Sequence, residues 1–256
     1  AIYVVGDRAG LFGRGTSGEG NDVPDLKLPG AQSEMLDLCL DSKTPGIIIS
    51  VSGRPYALGD FVSRAQAIIQ AFMPGEEGGT ALAEVIVGAI SPSGRLPIEI
   101  PSTIVGQPST YLQPKYGTPG IGMSPVDSIP LYTFGHGLTY TTFKYEGFAL
   151  SSNKVSTEGE ISASVKITNT GSIPGIEVAQ LYFEDPVAEI ARPVIQLLGF
   201  ARVELKPGET KEITFNIHTD RLAYIGAHYK RIVDPGVINL SICLLYTSPS
   251  PRDQRG

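Results

Sequence analysis

Three acidic side chains, Glu19, Asp22 and Asp25, sit close together in a glycine-rich stretch that follows the apolar run Ile2-Tyr3-Val4-Val5. Glu19 lies between Gly18 and Gly20, with no neighbour in sequence that would bury or pair its carboxylate. Glycines on both sides let the backbone approach another chain segment or a ligand closely. Loops at the carboxyl ends of parallel strands are frequent places for function. Two carboxyl groups held near one another suit glycoside chemistry, in which one acts as acid/base and the other as nucleophile. The same trio equally suits a metal ion or plain solvation, and on composition alone a solvated acidic loop carries most of the weight.

Other constellations are weaker. Gly13-Arg14-Gly15-Thr16-Ser17-Gly18 matches the dinucleotide fingerprint, with Asp37 further along. That fingerprint works only where the glycines close a strand and open a helix, so that the helix N-terminus faces a pyrophosphate. Here seven residues separate Val5 from Gly13, and Glu19 to Pro29 has no apolar period and contains Pro24 and Pro29. A carboxylate beside the cradle would also repel phosphate, so nucleotide binding is disfavoured. His136, His218 and His228 are isolated, with no Cys or carboxylate at ligand spacing. No serine stands in a nucleophile-elbow context. Glu76-Glu77 reads as an acidic pair at the start of a helix, where the dipole favours negative charge. Asn239-Leu240-Ser241 is a short sequon of the kind that occurs by chance. No cofactor and no metal site is expected.

The elements that must carry the acidic loop alternate between strand and helix. Ile2 to Val5, closed by Gly6, reads as a buried strand; Ile47 to Val51, between Gly46 and Gly53, as a second; Ala67 to Phe72, stopped by Pro74-Gly75, as a third. Ala31 to Leu40 places Met35, Leu36, Cys39 and Leu40 at helical spacing, with Cys39 expected as a small core hydrophobe. Ala81 to Val87 is a run of good helix formers ended by Gly88. This order predicts an α/β layered sheet with mostly parallel strands. A Pro/Gly/Ser-rich stretch occupies about Ser91 to Pro130. Beyond Phe143 the period becomes two: Ile161, Ala163, Val165 and Ile167 alternate with polar residues, as do Ile213, Phe215 and Ile217. Val178 to Phe183 and a last run, Val237 to Ile242, are further strands. Turn signals at Asn169-Thr170-Gly171, Lys206-Pro207-Gly208 and Asp234-Pro235-Gly236 complete the pattern of an antiparallel, immunoglobulin-like β-sandwich.

With 30 Gly and 20 Pro in 256 residues, the chain is expected to use short elements and many turns rather than long helices. The net charge of -6 disfavours nucleic-acid and anionic-membrane partners, and no apolar run is long enough to span a bilayer. The chain opens on an apolar run without Met, so its natural start is expected upstream. The string CLLYTSPSPRD, within residues 243–256, breaks from the preceding strand without a turn and looks like translated sequencing adapter. It is set aside with Cys243, which leaves Cys39 alone and no disulfide framework.

Five blocks in order resemble glycoside hydrolase family 3, the β-glucosidase and β-xylosidase family. They are RGTSGEGND with DLKLPGAQ (14–22 and 25–32), VSGRPYAL (51–58), FMPGEEGGTALAEVIVGAISPSGRLPIEIP (72–101), FGHGLTYTTF (134–143), and ITNTGSIPGIEVAQLYFEDP with RPVIQLLGFARVELKPGET (167–186 and 192–210). The resemblance implies an αβα sandwich at 1–115, a linker at 116–143, a fibronectin type III-like β-sandwich at 144–242 and an adapter-derived tail at 243–256. It also implies a retaining, exo-acting hydrolase of β-linked glucosides, xylosides or oligosaccharides. In that family the nucleophilic Asp lies on an N-terminal (β/α)8 barrel, and nothing in this chain resembles the segment that bears it. The acid/base Glu reaches in from a Ser-Gly-Glu-Gly-x-Asp loop, and Glu19 is the matching residue. Many members carry Arg after the Asp, where this chain has Val23. Members whose acid/base is a His on the barrel have no such loop. The chain is therefore expected to be an inactive fragment of an active parent, its missing partner being the barrel. The competing reading is a non-catalytic module that binds carbohydrate or protein, suggested by the β-sandwich.

Overall fold

The computed structural model describes residues 1–104, 110–114 and 129–242. The suspected adapter tail and residues 116–128 of the 116–143 stretch lie outside the described residues. The chain divides into two compact units, and the division does not follow a single cut in sequence. The first takes residues 1–89 with the described parts of 97–110 and 119–134; the second takes 90–96, the described part of 111–118, and 135–242.

In the first unit, β1 (Ile2–Gly6), β2 (Ile47–Val51) and β3 (Ala67–Gln70) form a parallel sheet in that order. Ile2 pairs with Ile47 and Ile47 with Ala67. Helix α1 (Gln32–Leu40) links β1 to β2, and the single turn α2 (Gly59–Val62) links β2 to β3. Helix α3 (Gly78–Ile86) follows. The core lies on one face of the sheet, where Tyr3 and Val5 of β1, Ile48 of β2 and Ile68 of β3 meet Leu36 and Leu40 of α1 and Phe61 of α2. Leu36 and Leu40 are four apart and so share one helix face. Cys39 departs from expectation: it is only partly buried, and Met35 and Leu38 are exposed, so α1 buries a narrower stripe than its apolar content suggested. Strand β3 ends at Gln70, two residues earlier than expected, because Phe72 adopts φ +53, outside the extended region. Helix α3 starts at Gly78, with Glu77 at the N-cap position and no side-chain capping bond. A short antiparallel pair, β4 (Ile100–Pro101) with β5 (Pro130–Tyr132), completes the unit.

The second unit is an antiparallel sandwich of two three-stranded sheets. One contains β6 (Phe143–Leu150), β7 (Glu160–Asn169) and β10 (Thr210–His218), with β7 central. The other contains β8 (Gly175–Glu184), β9 (Gln196–Leu205) and β13 (Asn239–Ile242), with β8 central. A two-stranded ribbon pairs β11 (Tyr224–Ile225) with β12 (Arg231–Ile232). The predicted alternation is realised: Ala163, Val165 and Ile167 of β7 are buried against Ala179, Leu181 and Phe183 of β8 and Leu205 of β9. The other face of β8 is buried too, since every residue from Glu177 to Phe183 is shielded. The polar ones are satisfied there. Glu177 accepts a 2.8 Å charge-assisted bond from Arg95 and another of 2.9 Å from the Val178 N–H, while Arg95 also donates to the Gly137 carbonyl. Gln180 accepts the Tyr182 hydroxyl at 2.6 Å and donates to the Gly135 carbonyl. His136, beside these residues, is pushed below its ordinary pKa by burial and then by the Arg95 charge. It is a half-buried residue of the sandwich unit.

Asn169, fully buried, fastens one end of the sandwich. Its amide donates to the carbonyls of Ile173 (2.8 Å) and Leu205 (3.0 Å), and its oxygen accepts the Thr141 hydroxyl (2.6 Å) and the Gly171 N–H (3.0 Å). Asn169→Ala strands donors and acceptors from several segments at once. Since an unsatisfied buried group costs about 1–3 kcal/mol, the substitution is expected to lower stability by at least about 2 kcal/mol. The urea midpoint of the sandwich transition, followed by an optical probe in that unit, checks this; an unchanged midpoint refutes it.

Candidate functional site

The acidic loop starts where β1 ends. Gly6 has φ +140, and a Cβ there would collide with the Val51 carbonyl, so only glycine lets β1 close onto β2 at this point. The Gln32 side chain then brackets the Gly6 peptide, accepting from its N–H at 2.7 Å and donating to its carbonyl at 3.0 Å. That contact ties the start of α1 to the tip of β1.

The next residue, Asp7, is the junction. One carboxylate oxygen accepts the Gly53 N–H at 2.8 Å; the other accepts the hydroxyls of Tyr56 (2.5 Å) and Thr16 (3.1 Å). The Thr16 hydroxyl oxygen also accepts the Arg8 N–H at 2.9 Å. One carboxylate therefore connects β1, the turn after β2, and the limb of the loop that leads to Glu19. Tyr56 is almost wholly buried, and its phenol is pushed up to about 12, first by burial and then by its bond to Asp7. It stays a donor at any physiological pH.

Within the loop the backbone is fastened by short local bonds. The Thr16 N–H donates to Arg8, and the Phe12 N–H donates to the Glu19 carbonyl at 3.0 Å. Buried Asn21 fills the middle: its amide donates to the carbonyls of Gly10 (2.5 Å) and Ser17 (3.1 Å), and its oxygen accepts the Gly15 N–H (3.1 Å). From outside, Arg54 donates to the carbonyls of Thr16 (2.6 Å) and Asn21. Gly18 and Gly20, on either side of Glu19, take φ +116 and +69. The helix-opening geometry that a dinucleotide fingerprint requires is absent, since no helix begins before Gln32.

Glu19 is exposed at the turn, and among the described residues its carboxylate makes no hydrogen bond or ion pair. Asp22 is likewise exposed and free, while Asp25 accepts the Lys27 N–H at 2.9 Å and serves a local turn. The structure thus separates the trio into two free carboxylates and one structural one. Beside the loop opens a cleft of about 400 Å³, lined by Asp7, Leu11, Ser17, Gly18 and Met73 among others. Among the described residues no group of three or more His, Cys, Asp or Glu could hold a metal ion. Asp7, Asn21, Arg54 and Tyr56 were not visible as a set in the sequence, because their partners lie up to 49 residues away. The only local hint was a carboxylate directly after a strand-ending glycine.

Tyr56→Phe removes the phenolic donor to Asp7 and is expected to cost about 1–2 kcal/mol. The pH dependence follows from the sign of the shift. A phenol whose pKa rises from 10.0 unfolded to about 12 folded stabilises fully below pH 10, and that stabilisation is lost as pH climbs toward 12. The stability gap between the parent chain and Y56F is expected to shrink over that window, read as paired urea midpoints. A gap constant to pH 12 refutes the assignment.

The chain matches the glycosyl hydrolase family 3 C-terminal domain over residues 1–140 and a fibronectin type III-like domain over 177–243. It is 36% identical over 229 residues to a β-xylosidase of Formosa agariphila, covering 89% of this chain and 32% of that protein. It is 34% identical over 250 residues to a periplasmic β-glucosidase of Salmonella typhimurium, covering 94% and 32%. Among solved structures, the β-glucosidase of Listeria innocua in complex with glucose superposes with TM-score 0.86 at 26% identity, over 94% of this chain and 34% of that one. The chain spans about a third of the length of the relatives it matches. With the α/β unit and the β-sandwich both matched, the chain belongs to glycosyl hydrolase family 3.

Proposed function

We propose that this chain supplies the acid/base carboxylate of a retaining, exo-acting β-glycosidase that removes glucose- or xylose-type residues from non-reducing ends. The observation that carries the reading is Glu19 itself: a free, exposed carboxylate on a turn whose backbone is fastened on both sides, in a Ser-Gly-Glu-Gly-Asn-Asp sequence within a family 3 chain. The relatives named β-glucosidase and β-xylosidase support a β-glycoside substrate, as does the Listeria innocua enzyme solved with laminaribiose.

A retaining reaction needs two carboxyl groups about 5–5.5 Å apart. In the first step a nucleophilic carboxylate attacks the anomeric carbon. As the glycosidic C–O bond breaks, protonated Glu19 gives its proton to the departing oxygen. In the second step the Glu19 carboxylate takes a proton from water, the resulting nucleophile displaces the enzyme carboxylate, and Glu19 is protonated again. On this reading the nucleophile resides on a barrel upstream of Ala1, and residues 1–242 alone do not turn over substrate.

The test extends the gene upstream and assays aryl β-glycosides. Glu19→Gln is expected to lower kcat by about 10²–10⁴-fold on substrates with poor leaving groups. Substrates with strongly activated leaving groups, which need no proton to depart, are expected to be far less affected in that step. Unimpaired turnover of poor leaving groups by the Gln variant rejects the assignment, and an upstream region without a second acidic group facing Glu19 rejects the retaining mechanism.

A further inference from the structure

We propose that Arg54 is a positioning residue for Glu19, holding the turn that carries it in the geometry for proton transfer. The inference rests on the reading of Glu19 as acid/base and assigns to the Gly53-Arg54 turn a part in that chemistry.

The turn has little stiffness of its own. Both neighbours of Glu19 are glycines at positive φ, and glycine moves between backbone wells more freely than any other residue. The Glu19 carboxylate has no partner among the described residues that would fix it from the side. Beyond the Phe12 N–H on the Glu19 carbonyl and the Asn21 amide inside the loop, the constraint comes from the two shoulders of the turn, Thr16 before it and Asn21 after it. A single guanidinium binds both: Nε donates to the Thr16 carbonyl at 2.6 Å, and Nη2 donates to the Asn21 carbonyl. The guanidinium is planar and presents its donors in a fixed fork, so two carbonyls bound to one fork have a set separation. Arg54 makes no ion pair among the described residues, so its charge-assisted bonds go to these main-chain oxygens.

Arg54 is itself anchored to the sheet. Its carbonyl accepts the Ser52 hydroxyl at 2.8 Å, and fully buried Ser52 is bonded to Ser50 Oγ at 3.0 Å and receives the Gln70 amide at 3.2 Å. The preceding N–H, of Gly53, is held by Asp7. A rigid route thus runs from β2 and β3 through Arg54 to both shoulders of the Glu19 turn. An acid that must meet a departing oxygen at hydrogen-bond distance gains from such support, because displacement by about 1 Å costs about 10²-fold.

The experiment uses the upstream-extended enzyme and a series of aryl β-glycosides of graded leaving-group ability, with wild type, Arg54→Ala, Arg54→Lys and Glu19→Gln in parallel. Arg54→Ala is expected to lower kcat about 10–100-fold on phenyl glycosides with little change in KM, and the deficit is expected to fade toward dinitrophenyl glycosides. Added guanidinium ion is expected to restore part of the loss, since it can donate to the same two carbonyls. Arg54→Lys is expected to recover little, because one ammonium cannot span both shoulders. A purely structural role predicts equal losses on every leaving group and no rescue by guanidinium; that result, or wild-type rates on phenyl glycosides, overturns the proposal. If Arg54→Ala fails to fold, Arg54→Lys carries the same leaving-group comparison. Leaving-group dependence in Glu19→Gln without it in the Arg54 variants defeats this inference alone, whereas its absence in Glu19→Gln defeats the acid/base reading beneath it.

Discussion

The carboxylate of Asp7 is the point on which the loop geometry depends. A carboxylate taken partly out of water needs donors, and here it finds three, each from a different position in the chain: the Gly53 N–H, the Tyr56 hydroxyl and the Thr16 hydroxyl. Satisfying one side chain brings the ends of two parallel strands and one limb of the Glu19 loop to a common place. Gly6 makes this possible by letting β1 run flush against β2, and Gln32 keeps the last β1 peptide in line. The loop follows from the sheet: its glycines supply reach, while Asp7, Asn21 and Arg54 supply position.

The elements that could be read directly were those whose signal is local. Ile47 to Val51 is a β-branched run between glycines, and the strand has those bounds. The alternation at Ile161 to Ile167 placed the inner face of β7 correctly, because a half-buried strand has a period of two. Turn α2 escaped notice because four residues are too few to show a helical period. Helix α3 was expected from Ala81 but begins at Gly78, because its first turn accommodates both glycines. Cys39 looked like a core position because its neighbours are apolar, yet α1 turns Leu36 and Leu40 inward and leaves Leu38 to solvent.

The same division holds at the candidate site. Glu19 stood out because glycines isolate it. Its supporting residues did not, since Asp7, Arg54 and Tyr56 mean little until the parallel sheet brings residues 7, 16 and 54–56 together. Asn169 is the counterpart in the sandwich. Asn-Thr-Gly signals a turn, and a turn is there, but the side chain faces inward and caps carbonyls from two other segments. Long-range hydrogen bonds leave no periodic trace, so roles of this kind emerge only from the fold.

The sandwich is not a contiguous stretch of chain. Residues 90–96, which come before β4, count among its parts, and through them Arg95 meets a Glu177 that is nearly sealed from solvent. Excising the sandwich at its first long strand would therefore remove the cation and keep the anion. A buried carboxylate stripped of its counter-charge is among the costlier defects a small domain can carry. Anyone dissecting this protein into pieces, or grafting its β-sandwich onto another enzyme, would have to bring the Ile90–Leu96 peptide along as a separate strap.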